Sequence, residues 1–373
     1  MNKNVLNIAL VIALSGLALS ANAAAYSYKD LGTLGGTSSY AYAINNVGQV
    51  VGSASTTNNA AFYATIWNET VATSLGTLGG DSSEALAIND VGEVAGIALT
   101  ADNRAFHATL WSGSSAIDLG TPGGNSSYAY AINNLGQVAG YVYNQTIDQS
   151  DATVWSTNTV TTLSTLDGKY NFAHAINDSG QVAGAVFLPN SFEHHATLWS
   201  GETITDLGTL GGTYSIANAI NNYGVVVGAA STFNDEASVA TLWDGSTTIN
   251  LGTLGGDYSI ANDINNAGQI VGNSEHADYI GPRATIWNGT VATDLNSYLD
   301  ASTVAAGWVL TQANGINDNG WIVGNATNSL LGIYSHAFLM SVTPVPEPDT
   351  YGMMLMGLGL MGFVVRRRKN QKI

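Results

Sequence analysis

Ile44, Ile88, Ile132, Ile176, Ile220 and Ile264 stand 44 residues apart, and Trp67, Trp111, Trp155, Trp199, Trp243 and Trp287 keep the same interval. So do Leu31, Leu75, Leu119, Leu163, Leu207, Leu251 and Leu295. A period kept this strictly means one supersecondary unit copied along the chain. Such a unit cannot bury its apolar face alone and must stack against its copies. A seventh unit follows, with Ile316 placed 52 residues after Ile264.

The first unit reads as four short strands, at residues 39–44, 49–53, 62–67 and 71–75, rich in Val, Ile, Tyr and Ala. Four strands of five or six residues with short connections fill about 44 residues. The first turn is Asn45-Asn46-Val47-Gly48, and every unit repeats its asparagine and its glycine three residues on. Asn opens a type I turn by bonding the backbone ahead, and Gly takes the left-handed position that closes the hairpin loop. A calcium loop needs more converging oxygens than Asn46, Asp90 or Asp178 supply within one unit. These residues therefore read as structural. A second glycine recurs at Gly52, Gly96, Gly140, Gly184, Gly228, Gly272 and Gly324, which predicts close approach of another layer. The tryptophan is the large apolar filler of each unit, with Met340 in its place at the end.

The chain ends favour a ring. A lone fourth strand at 26–31 precedes the first unit, and the last unit stops after its third strand at 336–340. A propeller closes by letting the N-terminal strand complete the final blade, which leaves few exposed edges. The expected fold is all-β: a seven-bladed β-propeller of four-stranded blades over residues 26–343, closed by the N-terminal strand. A β-solenoid is the alternative architecture.

Residues 1–23 read as a signal peptide, with Lys3, an apolar run at 8–19 and the small-x-small site Ala21-Asn22-Ala23. Residues 344–373 carry Val345-Pro346-Glu347-Pro348, an apolar stretch at 351–365, and Arg366, Arg367, Arg368 and Lys369. Fifteen helical residues reach ~22 Å, less than the ~30 Å core of a bilayer. Motif, transmembrane helix and basic tail, in this order, resemble the PEP-CTERM sorting signal of Gram-negative bacteria. That resemblance implies export, transient inner-membrane anchoring and removal of the tail by an exosortase-type enzyme. The repeats, as in 206–212 with Ala219-Ile220-Asn221-Asn222, resemble HAF-type extracellular repeats. The His-Ala-Phe triplet itself stands at His336-Ala337-Phe338, and His107-Ala108-Thr109 and His195-Ala196-Thr197 depart at its third position. The repeat resemblance implies location and architecture, not an activity.

Between the two targeting segments stand four basic residues, Lys29, Arg104, Lys169 and Arg283, against 25 acidic ones, a net charge of −21. Such a surface repels phosphate backbones and anionic lipid, so no nucleic-acid partner is expected, and the membrane is met through the C-terminal helix alone. The chain has no cysteine, no Gly-x-Ser-x-Gly elbow and no lysine after its LGTLGG segments. Nucleophilic and phosphate-loop chemistry have no carriers here. His107, His195 and His336 share one position in different units, too far apart to hold a metal together, and His194 and His195 point to opposite faces of a strand. Asp235 and Glu236 are adjacent carboxylates in a polar loop. The threonines form no flat array of the kind an ice-binding protein needs. No cofactor is expected. The reading is a non-enzymatic, exported envelope or matrix module associated with exopolysaccharide. A carbohydrate-active propeller enzyme is the alternative, and ice binding a minor one. The expected ligand face holds the variable second-to-third loops and Tyr40, Tyr128, Tyr170, Tyr214 and Tyr258, whose rings either stack on sugars or pack between blades.

Overall fold

The computed structural model describes residues 25–343 except 114, 158, 167, 190, 192, 279 and 280. The two targeting segments at 1–23 and 344–373 lie outside the described residues. In the compact unit Ser27–Ser341 the strands form five four-stranded sheets and one eight-stranded sheet. The larger sheet is two blades joined through a single parallel bridge between Ser238 and Tyr258. Seven antiparallel blades result, each a meander whose first strand lies nearest the axis. Among the described residues the fold is the propeller, not the solenoid.

Blade one is Gly35–Ile44, Gln49–Thr56, Phe62–Asn68 and Val71–Ser74. Its inner strand starts four residues before the sequence-based boundary, inside the LGTLGG segment. There Gly35 has φ +98°, and the Thr33 hydroxyl accepts from Gly35 N at 3.1 Å and donates to Gly36 O at 2.9 Å. A threonine bracket thus turns a glycine-rich connector into the head of a strand. The turns behave as read: Gly48 N donates to Asn45 O at 3.0 Å and Gly48 has φ +86°.

The recurrent second glycine has a more local cause than an approaching layer. Every inner strand shifts register at the same place, between Ala41 and Ala43 in blade one and between Ala313 and Gly315 in blade seven. This bulge pushes the Tyr40 carbonyl towards its own neighbour strand, so that a Cβ on Gly52 would lie 1.8 Å from that oxygen. The close layer is the same blade's inner strand.

The core lies between blades rather than inside each unit. Val51 and Ala64 of blade one pack with Ala85, Ile88, Val94, Ala98 and Trp111 of blade two. The same arrangement joins Ala139 and Ala152 to Ala173, Ile176 and Trp199. Each tryptophan therefore seals a seam with the preceding blade.

Closure follows the same grammar. Ala25–Asp30 is the outer strand of a blade whose other strands are Trp308–Ile316, Ile322–Asn328 and Ile333–Thr343. Leu31 N donates to Ala337 O at 2.9 Å, just as Leu75 N donates to Ala64 O at 2.8 Å in blade one. Leu31, Ala41, Ile44, Trp67, Val323, Ala337 and Leu339 form one cluster that joins first and last blades. The segment before blade seven, eight residues longer than its counterparts, holds a 3₁₀ turn, Leu295–Tyr298, and a helix, Ala301–Ala305, capped by the Asp300 carboxylate.

Candidate functional site

The axis has two mouths of different chemistry. At the turn side the seven inner strands end in two concentric rings. Asn45, Asn89, Asn133, Asn177, Asn221, Asn265 and Asn317 are buried. Each donates its amide to the carbonyl of the next, at 2.9 to 3.3 Å, and Asn317 closes onto Asn45. Outside them run Asn46, Asp90, Asn134, Asp178, Asn222, Asn266 and Asp318. Every backbone N–H here donates to the next side-chain Oδ1, at 2.8 to 3.0 Å. The sequence reading considered one unit at a time and found too few oxygens at this position. The ring brings three carboxylates together instead, Asp318 included, around a cavity of about 170 Å³ floored by the seven isoleucines. Each carboxylate accepts from two flanking asparagine amides; Asp90, for example, takes Asn46 at 3.0 Å and Asn134 at 3.3 Å. The mouth is satisfied internally and works as a clasp on the ring.

Above the isoleucines, alanine fills one register position in five blades (Ala43, Ala87, Ala131, Ala175, Ala219), whereas blade six has Asp263 and blade seven Gly315. The Asp263 carboxylate accepts from Ile264 N and, across the seam, from Ile316 N, both at 2.8 Å. Burial pushes its pKa up to about 7, against the opposing pull of those two N–H groups. A carboxyl protonated more readily in the folded than in the unfolded chain stabilises most below its unfolded pKa, near 4, and that stability is lost as pH rises to about 7. The loss amounts to at most about 4 kcal/mol. Asp263→Ala is therefore expected to flatten the fall in melting temperature between pH 4 and 8. Parallel curves for the two proteins would contradict this.

At the loop side four of the predicted tyrosines reach a neighbouring blade, Tyr128 through Phe106 at 6.4 Å, while Tyr40 packs within its own blade. Tyr40 faces Phe62 at 6.1 Å, Tyr128 stacks on Tyr141 at 4.7 Å, and Tyr214 lies 5.8 Å from His194. Tyr170 donates its hydroxyl to Asp148, and Tyr258 is 38% exposed beside the Ser238 bridge. All except Tyr258 are half-buried. Tyr128, Tyr170, Tyr214 and Tyr258 thus meet the neighbouring blade, and all five keep an edge to solvent. They also belong to something longer. The rings of Phe106, Tyr128, Tyr141, Phe172, Phe187, His194 and Tyr214 follow one another at 4.7 to 6.4 Å, across blades two to five. The phenylalanines and histidine of this belt escaped the sequence reading, which followed tyrosine alone.

The loops above the belt are less free than their variable sequences suggest. Asn59, Asn103 and Asp235 reach back to the heads of the inner strands, accepting from Thr37 N, Asp81 N and Thr213 N at 2.8 to 2.9 Å. Asp235 is thus a structural cap. Hydrogen bonds from Ser231 and from Thr213 lower its pKa.

The third-strand histidines have partners that the sequence reading missed. His107 pairs with Asp118 and His195 with Asp206, Nδ1 to Oδ2 at 2.8 Å in both. His336 meets Asp30 at 3.0 Å. The 11-residue spacing in blades two and four was a usable signal. The third pair needs the ring, because Asp30 comes from the N-terminal strand. Among the described residues no three His, Cys, Asp or Glu side chains are grouped to hold a metal ion. No described helix is long and apolar enough to cross a membrane.

Comparison with known proteins adds the address and the fold. Residues 344–369 match the PEP-CTERM protein-sorting motif. A motif of this kind implies export and exosortase-type processing. The chain matches no characterised protein sequence. Its structure is similar to the β-propeller domain of the Trilobed protease from Pyrococcus furiosus, described as having an open velcro topology. That match has a TM-score of 0.55 and 11% identity, and covers 83% of this chain and 97% of that one. A gluconolactonase from Xanthomonas campestris aligns over 87% of this chain and 93% of its own, at 9% identity and a TM-score of 0.45. At these identities the likeness concerns the fold. In this chain the N-terminal strand does pair with the last blade.

Proposed function

We propose that this protein is an exported binding module of the bacterial envelope or extracellular matrix that holds a polysaccharide on its loop face. The belt from Phe106 to Tyr214 is the observation that carries the reading. It is a run of half-buried rings, held on strands rather than on loops, and ring faces of this kind stack on the apolar faces of pyranoses. The C-terminal sorting motif supports it, since it implies a protein delivered to where such polymers lie. The resemblance of the repeats to HAF-type extracellular repeats points the same way, and the destination proposed with it is a Gram-negative outer surface.

Binding is favoured over hydrolysis by what the carboxylates do. Asp235 caps a strand, and Asp90, Asp178 and Asp318 are bound into the turn-side clasp. A glycosidase needs two carboxyl groups facing one another across a substrate.

The experiment is affinity electrophoresis or calorimetry of the mature exported protein against exopolysaccharide from the host. Tyr128→Ala and Tyr214→Ala should each weaken binding about tenfold, the equivalent of ~1.4 kcal/mol. Val47→Ser, at an exposed turn on the opposite face, should leave it unchanged. Turnover of a glycan that one carboxylate substitution abolishes would refute the binding-only reading.

A further inference from the structure

One residue on the inner strands breaks the pattern of its siblings. Glu84 lies halfway along Gly79–Ile88, the inner strand of blade two. The same register position holds Tyr40, Tyr128, Phe172, Ile216, Ile260 and Gln312 in the other blades. Six uncharged residues and one carboxylate therefore share this register. Glu84 is half-buried.

Its surroundings are aromatic. Burial raises the pKa of the Tyr42 hydroxyl of blade one and of the Tyr130 hydroxyl of blade three, and the nearby charge of Glu84 adds to both. Tyr130 leans on Tyr141 at 5.9 Å, and Tyr141 continues into the belt through Tyr128 at 4.7 Å. Burial raises the pKa of Glu84, and no hydrogen bond or cation opposes this. Among the described residues the carboxylate has neither a donor nor a counter-ion. An isolated, partly desolvated carboxylate costs free energy that no neighbour returns. An apolar side chain of the kind its siblings carry would avoid that cost, so the position calls for a reason outside the fold.

We propose that Glu84, flanked by Tyr42 and Tyr130, is a subsite for a primary ammonium group, and that the bound polysaccharide therefore carries free amino sugars. This rests on the loop-face reading above and narrows its ligand class. An ammonium supplies what the carboxylate lacks, a positive charge and three donors. Tyrosine faces attract the same cation. The net charge of −21 between the targeting segments draws a polycation towards the protein and repels an acidic polymer. An N-acetylated sugar, being neutral, gains none of this.

The test uses the mature exported protein at pH 6 and moderate salt, titrated with a partly deacetylated chitin oligosaccharide and with its fully acetylated counterpart. The amine form should bind at least tenfold more tightly. Glu84→Gln should bring it down to the acetylated level and leave the acetylated ligand unaffected. Glu84→Gln keeps the size of the side chain and removes a poorly solvated charge, so it should melt no lower than the parent. Glu202→Gln, at an exposed outer turn, should change nothing. Equal binding of the two oligosaccharides would overturn the subsite while leaving the loop-face reading intact. Equal effects of Glu84→Gln and Glu202→Gln would overturn it in favour of general attraction to an acidic surface. If neither oligosaccharide binds and a lysine-rich peptide binds in a Glu84-dependent way, the ammonium belongs to a protein partner and the polysaccharide assignment fails. If neither binds and Tyr128→Ala is silent towards host polysaccharide, the loop-face reading falls as well.

Discussion

Removal of residues 25–31 is expected to lower the melting temperature of the mature protein by about 7 °C. The segment is small, but it occupies every place that an outer strand holds in the other blades. Leu31 is 1% exposed, and losing its burial costs about 2 kcal/mol. Tyr28 gives up contacts with Trp308 and Phe338 at 5.7 and 6.3 Å. The Leu31–Ala337 backbone bond, the Ser27–Ser341 pair and the His336–Asp30 pair go with it, each contributing ~1 kcal/mol. The total, on the order of 5 kcal/mol, corresponds to a shift of about 7 °C for a unit of this size. Ile333–Thr343 would also become a free edge prone to pairing with other chains, so the shortened protein should self-associate. Calorimetry with sedimentation analysis checks both. An unchanged melting temperature would mean that the other six seams hold the ring without this strand.

The period made the blades legible, and the mismatch between the two chain ends made closure legible. Both follow from strictly local rules: alternating apolar residues, Asn-x-x-Gly turns, and a count of strands. What the sequence left hidden is whatever depends on two blades at once. The tryptophans read as fillers of their own units, because nothing in one repeat says which neighbour they face; in the structure Trp111 seals the seam to blade one. The second glycine read as a mark of layer contact, because a bulge leaves no residue type of its own; Tyr40 O, not another blade, is what Gly52 meets.

The candidate site divides in the same way. Tyr40, Tyr128, Tyr170, Tyr214 and Tyr258 were visible as recurrent tyrosines near the loop face. Phe172 shares the offset of Tyr40 and Tyr128 without being a tyrosine, Phe187 and His194 stand at other offsets, and only the curvature of the ring lines them up. The clasp of Asn46, Asp90 and Asp318 was invisible for the opposite reason. Its members occupy one offset in every repeat, and a seven-fold axis turns 44-residue neighbours into hydrogen-bond partners. Glu84 was readable in principle as a lone charge in an aromatic column. The signal lay in comparing repeats position by position rather than in searching for a motif.

The recurrent glycine of the second strand yields the sharpest stability prediction. Gly52→Ala adds one methyl group, yet its Cβ would sit 1.8 Å from Tyr40 O and 2.8 Å from Tyr40 C. Both are backbone atoms of a strand locked by its own ladder, so no side chain can turn aside. The inner strand must move, and it carries Tyr40, Ala41 and the approach to the Asn45–Asn46 turn with it. The cost should exceed ~3 kcal/mol, the upper range for overpacked sites. Gly113→Ala provides the contrast. Gly113 has φ +61°, and a Cβ added there would meet nothing within 4 Å, so its alanine variant bears only the left-handed strain, about 1 kcal/mol. If the two variants melt together, the bulge is soft and the glycine is retained for its backbone freedom rather than for space. If Gly52→Ala melts far lower, as expected, the seven glycines mark where each inner strand presses on its neighbour. Gly96→Ala, with Glu84 O 2.0 Å from its added carbon, should then disturb ammonium binding as well as stability.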